Sequence, residues 1–217
     1  MALAIFDLDN TLLAGDSDYS WGQFLCRKGI VDAEEYTRIN TQFYEDYENG
    51  SLDIQAFLEF ALKSLKDNDL GSMQELHKEF MQEIIEPMIL PKGLELLEKH
   101  RQQGDYLLII TATNTFITQP IGEQLEVDHL IGTVPEMIDG QYTGKVSGTP
   151  AFQGGKVILL NEWLKENNYS LEGSYFYSDS QNDIPLLDKV EFPFAVDADP
   201  ELEQYAKDKG WPVISLR

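Results

Sequence analysis

Several short runs in this chain are apolar almost without interruption. LAIF at 3–6, YLLII at 106–110, HLIGTV at 129–134, SYFYS at 174–178 and FPFAV at 192–196 are the clearest. A strand points alternate side chains to opposite faces, so an unbroken apolar run predicts a strand buried on both. Segments with helical spacing separate these runs, among them PKGLELLEKHRQQG, IGEQLEV, KVILLNEWLKENN, DIPLLDKV and PELEQYAKDKG, with WPVISL as a last strand. Such alternation restricts the chain to an α/β fold, a Rossmann-like doubly wound parallel sheet with helices on both faces. EMIDGQYTGKV reads as a hairpin turning at Asp139-Gly140.

One block breaks the alternation. Residues 16–86 read as helix after helix. Trp21, Phe24 and Leu25 share one face of the first. Asp32 caps the second, with Glu35 three residues on, and Tyr36, Ile39, Phe43 and Tyr47 follow at helical spacing. DIQAFLEFALKSL keeps Phe57, Leu58, Ala61, Leu62 and Leu65 in one register. Ser72 and Glu75 form a capping box for a last helix, which ends before Pro87. The spacing assigns these aromatic residues to core packing rather than to a stacking surface. The expected organisation is an α/β core over 1–15 and 87–217, with an inserted helical cap over 16–86.

The 42% hydrophobic fraction of the 217 residues can build a full core. The net charge of −22 argues against nucleic acid and against an anionic membrane surface as partners. Cys26, the single cysteine, excludes an internal disulfide and reads as a small buried hydrophobe. His77, His100 and His129 are far apart and lack metal-ligand spacing. Asp7 and Asp9 interrupt the first apolar run, so no signal peptide is expected, and no stretch reaches membrane-spanning length. A cytoplasmic protein is the expectation, and oligomeric state is left open.

Open parallel sheets bind ligands at the carboxyl ends of their strands. LAIF is followed by Asp7 and Asp9, YLLII by Thr111, Ala112 and Thr113, and SYFYS by Asp179, Asn182 and Asp183. QGGK sets Lys156 at a helix start. Carboxylates crowded together repel one another, and a hard divalent cation removes the conflict. An oxygen-only ligand set without histidine or cysteine selects Mg2+ over zinc. A lysine and a hydroxyl beside such a cation make a place for phosphoryl oxygens, and a carboxylate can serve as nucleophile. Simpler readings exist for single members. Asp-x-Asp after a strand often only makes a turn or cap. A calcium loop counted from Asp7 would require Gly and Glu where Leu12 and Asp18 stand. Neither a Walker lysine loop nor a dinucleotide fingerprint occurs. It is the ordered set that points to phosphate chemistry.

DLDNT, the threonine after LLII, the lysine of GGK and DSQND resemble the four motifs of the haloacid dehalogenase superfamily, in order and spacing, over the whole chain. The insertion after the first motif resembles the small cap of the phosphoserine phosphatase-like branch. The resemblance implies that Asp7 is the nucleophile. Asp9 would protonate the leaving oxygen and then activate water against an aspartyl-phosphate. Mg2+ would be held by Asp7, the backbone carbonyl of Asp9 and Asp179, with Asp183 supporting through water. Thr111, Lys156, Asn10 and Ala112 would hold the phosphoryl group, and Asn182 would complete the fourth motif. Asp9 argues against carbon–halogen chemistry, because dehalogenase members lack the second aspartate.

The substrate implied is a small phosphate ester. Phosphoserine phosphatases meet the substrate amine with a glutamate at the cap and its carboxylate with a cap arginine. Here Asp16 stands at the glutamate's offset, and no arginine lies between Arg38 and Arg101. TAT and SDS replace Ser-Gly-Gly and Gly-Asp-Gly. These departures favour a phosphorylated amino alcohol such as histidinol phosphate, with Asp16 selecting the amine or merely capping a helix. Phosphoserine, transfer to an acceptor other than water, and a non-catalytic binding role remain the alternatives.

Overall fold

A computed structural model describes residues 2–217. Its strands are β1 (Leu3–Phe6), β2 (Tyr106–Asn114), β3 (His129–Thr133), β4 (Pro135–Ile138), β5 (Gln141–Val146), β6 (Tyr175–Ser178), β7 (Phe192–Val196) and β8 (Val213–Ile214). Six of them form one parallel sheet in the order β3-β2-β1-β6-β7-β8. β4 and β5 form the expected antiparallel hairpin, in which Asp139 (φ 50) and Gly140 (φ 80) both take the left-handed conformation that a two-residue type I′ turn needs.

Between β1 and β2 lie α1 (Ser17–Arg27), α2 (Ala33–Glu48), α3 (Ile54–Ala61), α4 (Lys63–Asp67), α5 (Leu70–Phe80), a π-helical turn (Met81–Ile85) and α6 (Glu86–Met88). The remaining helices are α7 (Pro91–Gln103), α8 (Thr115–Gln124), α9 (Gly154–Asn167), α10 (Ile184–Leu187) and α11 (Pro200–Lys209). The apolar strands divide their side chains between two clusters. Ala4, Phe6, Leu107 and Ile109 face one side, with Leu97 of α7 and Ile117 of α8. Leu3, Ile5, Leu108 and Ile110 face the other, with Leu160 of α9 and Leu202 of α11. That division is why these strands read as continuous apolar runs.

The insertion has no separate core on its sheet side. Trp21, Phe24, Met73 and Phe80 join the same cluster as Phe6 and Ile109. Its two ends run side by side: Ala14 N–H donates to Met88 C=O at 2.7 Å, and Leu90 N–H donates to Leu12 C=O at 3.0 Å.

Several local expectations are corrected. Asp69, not Ser72, caps α5, its carboxylate accepting from Ser72 N–H at 2.9 Å. A carboxylate beside a helix N-terminus accepts a backbone N–H more strongly than a hydroxyl does. The helix does not stop before Pro87. Proline's missing N–H is harmless at the start of a new turn, and α6 begins at Glu86. The predicted single helix over 53–65 breaks at Leu62 into α3 and α4. α8 begins at Thr115, earlier than IGEQLEV suggested, with Pro120 inside it. Cys26 is half-buried, with its Sγ 3.9 Å from Thr37 Oγ1. Among the described residues no helix is long and apolar enough to cross a membrane.

Candidate active site

The strand order reverses at β1, which has β2 on one side and β6 on the other. Ligand sites of doubly wound sheets form at such a switch point, beyond the carboxyl ends. Asp7 sits there, its N–H bonded to Tyr177 C=O at 2.9 Å. Lys156, in the first turn of α9, donates from Nζ to Asp7 Oδ1 at 2.7 Å and to Asp183 Oδ2 at 2.8 Å. All three side chains are buried. Ser178 Oγ donates to Asp183 Oδ2 at 2.7 Å, and Thr11 Oγ1 donates to Asp179 Oδ1 at 3.1 Å.

The two glycines before Lys156 differ in importance. A Cβ at Gly154 would meet open space, whereas one at Gly155 would come within 2.0 Å of the Pro150 carbonyl oxygen. Gly155 therefore lets the helix start lie against the preceding loop and brings the lysine inward. Gln153, just before, holds a left-handed φ of 48. Such strain persists where surrounding contacts over-determine it. Here the Gln153 amide donates to Asn182 Oδ1 at 2.9 Å.

Asp9 is held from two sides, accepting from Ser17 N–H at 2.6 Å and from Thr113 Oγ1 at 2.8 Å. Desolvation moves its pKa from the ordinary 3.8 up to about 7, with Asp16 adding repulsion and the Ser17 and Thr113 bonds pulling back. Asp16 caps α1, accepting from Tyr19 N–H at 2.7 Å, and also lines the cavity described below. Desolvation and the neighbouring Asp18 push it up to about 7 as well. Asn10 contributes its left-handed backbone (φ 56) to the turn after β1, with its N–H on Gly15 C=O at 3.0 Å, and its side chain does not line the cavity.

A cavity of about 580 Å³ opens over Asp7, Asp9, Thr111 and Ala112 and runs up between the sheet and α1, α2 and α3. Its volume suits a small metabolite. The upper walls are Tyr19, Phe43, Tyr44, Tyr47 and Phe57, rings that helical spacing alone assigns to the core. They are half-buried because α2 lies across a void and not against another layer. The C-terminal turn of α2 is tied to the core: Gln181 Nε2 donates to Glu48 C=O at 3.0 Å and Asn182 Nδ2 to Tyr47 C=O at 3.3 Å.

Sequence reasoning gives no role to Thr11, Thr113 and Ser178, which orient the carboxylates. Thr113 stands two residues after Thr111, and strand alternation could have placed both on one face. Asp18 is missed as well. It reaches the cavity and is fixed by Asn114 at the end of β2, and no local pattern joins these two.

The carboxylates fit a hard divalent cation. Burial raises Asp7, with Lys156 pulling it down and Asp183 pushing it up. Burial, then Asp7 and Asp183, hold Asp179 well above the carboxylate range. Burial opposes the Lys156 ammonium, but Asp183 and Asp7 outweigh it and keep it charged. One ammonium among three buried carboxylates leaves surplus negative charge that a cation would neutralise. Among the described residues no three side-chain ligands converge as a complete cage. Magnesium accepts that arrangement, since it keeps several waters and uses one or two carboxylates plus phosphate oxygens.

Comparison with known proteins agrees. The family model of haloacid dehalogenase-like hydrolases matches residues 4–188. A histidinol-phosphatase of Neisseria meningitidis serogroup C is 48% identical, covering 99% of each chain. A solved protein of unknown function from Bordetella pertussis Tohama I is 42% identical with a TM-score of 0.94, covering 100% of this chain and 99% of that one. Phosphoserine phosphatase, solved as a phospho-aspartyl intermediate analogue, shares the fold at a TM-score of 0.73 and 18% identity, covering 100% of this chain and 93% of that one. With its four motifs gathered at one sheet edge, this chain belongs to the haloacid dehalogenase-like hydrolases, among their phosphatases.

Proposed function

We propose that the protein is a Mg2+-dependent phosphomonoesterase that works through an aspartyl-phosphate, acting on an amino-alcohol phosphate such as histidinol phosphate. The observation that carries this reading is the pair of aspartates with different surroundings. Asp7 is bonded to a cation, Lys156, while Asp9 is bonded only to neutral donors and titrates at about 7. A carboxyl poised near neutral pH suits proton donation and then proton removal.

In this reading an Asp7 carboxylate oxygen attacks phosphorus as the bond to the leaving oxygen breaks. Asp9 gives its proton to that oxygen. Asp9 then takes a proton from a water molecule, which attacks the phosphorus and returns Asp7 as a carboxylate, releasing inorganic phosphate. Thr111 and Lys156 hold phosphoryl oxygens. Asp7, the Asp9 carbonyl and Asp179 would hold the metal, with Asp183 behind them, and bound Mg2+ would supply charge neutralisation at the phosphoryl group. The helices over 16–86 would act as a cap that selects the substrate, with Asp16 reading its amine.

The 48% identity to a histidinol-phosphatase supports the substrate class, and so does the cavity's charge. No lysine, arginine or histidine lines it among the described residues, so a carboxylate-bearing ester such as phosphoserine meets no counter-charge. The test is phosphate release from a panel of small phosphomonoesters, with Mg2+ and with excess chelator. Amino-alcohol phosphates should be preferred over phosphoserine, and chelation should abolish turnover. Undiminished activity in chelator, or preference for phosphoserine, overturns the assignment.

A further inference from the structure

Asp18 has no part in the chemistry above, yet the fold fixes it in the cavity wall. Asn114, only 4% exposed, donates from Nδ2 to Asp18 Oδ1 at 3.2 Å. The same amide leaves its own buried Oδ1 without a partner. An unpartnered buried oxygen is costly, so the contact to Asp18 is what this amide supplies at that position. Around Asp18 stand two ring pairs. Tyr19 and Tyr44 are 5.1 Å apart between ring centroids and tilted by 51°, and Phe43 and Phe57 are 5.6 Å apart and nearly perpendicular at 75°. All five side chains line one cavity.

We propose that Asp18 and these four rings form a specificity subsite for a planar organic cation, an imidazolium-type ring carried by the substrate in addition to the amine assigned to Asp16. The proposal rests on the phosphomonoesterase reading. Its physical basis is that a compact ammonium is strongly hydrated and could satisfy a carboxylate alone, leaving the ring faces unused. A protonated heteroaromatic ring uses both features. Its faces stack on or lie against the aromatic walls, and its in-plane N–H donates to the carboxylate. The absence of any lining cation among the described residues removes competition for Asp18.

The experiment compares three esters on the intact protein: one bearing imidazole and amine, one bearing an aliphatic amine alone, and an uncharged aryl phosphate. Asp18→Asn keeps the shape and the Asn114 hydrogen bond but removes the charge. Phe57→Leu removes one wall. Each variant should lower kcat/KM for the imidazole ester about tenfold relative to the aliphatic amine ester, through KM, as expected when one desolvated interaction is removed. Calorimetry with the dephosphorylated imidazole amino alcohol reads the same subsite without turnover, and its binding should weaken alike. If both amine esters lose equally, Asp18 reads charge without regard to ring shape and the proposal is overturned. If all three esters fall together, the residues are structural and it is overturned too. Wild-type protein that hydrolyses none of the esters overturns the phosphatase reading, whereas the calorimetric result then still decides the subsite.

Discussion

The sheet and the helical insertion share one apolar cluster, but their polar residues meet different demands. At the ends of β1, β2 and β6 every carboxylate is fixed by named donors: Lys156 on Asp7 and Asp183, Thr113 on Asp9, Thr11 on Asp179. On α2 and α3 the cavity-facing side chains are rings touching other rings, with Asn40 as the one buried residue of α2. The first region holds atoms in fixed positions against electrostatic repulsion. The second offers an adaptable apolar surface. The difference teaches that chemistry and selection are separate here: the sheet edge treats all phosphate esters alike, and only the insertion can tell them apart.

That separation can be broken most severely at the sheet edge. Asp7→Asn should remove activity on every ester by on the order of 10⁴-fold or more, the scale on which loss of a nucleophile acts. No covalent phosphoenzyme should be trapped by rapid quench. Asp9→Asn should cost about 10²–10⁴-fold, and less for esters with good leaving groups, because those need no proton. A linear free-energy plot against leaving-group pKa checks this, and an unchanged slope would assign the loss to something other than acid catalysis.

Backbone packing gives the next effect. Gly155→Ala places a Cβ 2.0 Å from a carbonyl oxygen, and overpacking of this kind destabilises by about 1–3 kcal/mol. It should lower activity on all esters together, because Lys156 moves. Gly22→Ala meets Tyr36 at 2.6 Å and Asn40 at 2.7 Å, wedging α1 from α2 at a similar cost in stability. Its kinetic signature should differ: selectivity between amine-bearing and aryl phosphates narrows. If both glycine variants change selectivity equally, the separation of chemistry from selection fails.

Asp16→Asn sharpens the comparison at a single residue. It should lower kcat/KM for amine-bearing phosphates relative to an aryl phosphate by about tenfold, provided closure dries the ion pair. A parallel loss for both would leave Asp16 as the cap of α1 alone.

The smallest effect is in stability. Cavity desolvation, and then Asp9, raise Asp18 from 3.8 to about 7. Between those values the folded chain keeps the proton that the unfolded chain has lost. Its stabilising contribution is thus present below the unfolded value and is lost as pH rises through about 7. Asp18→Asn should therefore gain in Tm over wild type on going from about pH 5 to about pH 8, measured in chelator. A constant difference would mean that Asp18 is not desolvated.

The sequence by itself determined the sheet and the reacting groups. Unbroken apolar runs can only be strands covered on both faces, and the groups after them must gather at one edge, so Asp7, Asp9, Thr111, Lys156 and Asp179 were legible as a set. Helix boundaries were less so, because Asp69 and Ser72 are both competent caps and only their geometry chooses between them. The tertiary structure alone decided which aromatic residues face a cavity. Helical spacing shows that Phe43, Tyr47 and Phe57 share a side of their helices, but a core and a void demand the same spacing. It likewise decided that Asn114 would hold Asp18, residues 96 positions apart. Periodicity reports which side chains point together, and what they point at depends on how distant segments pack.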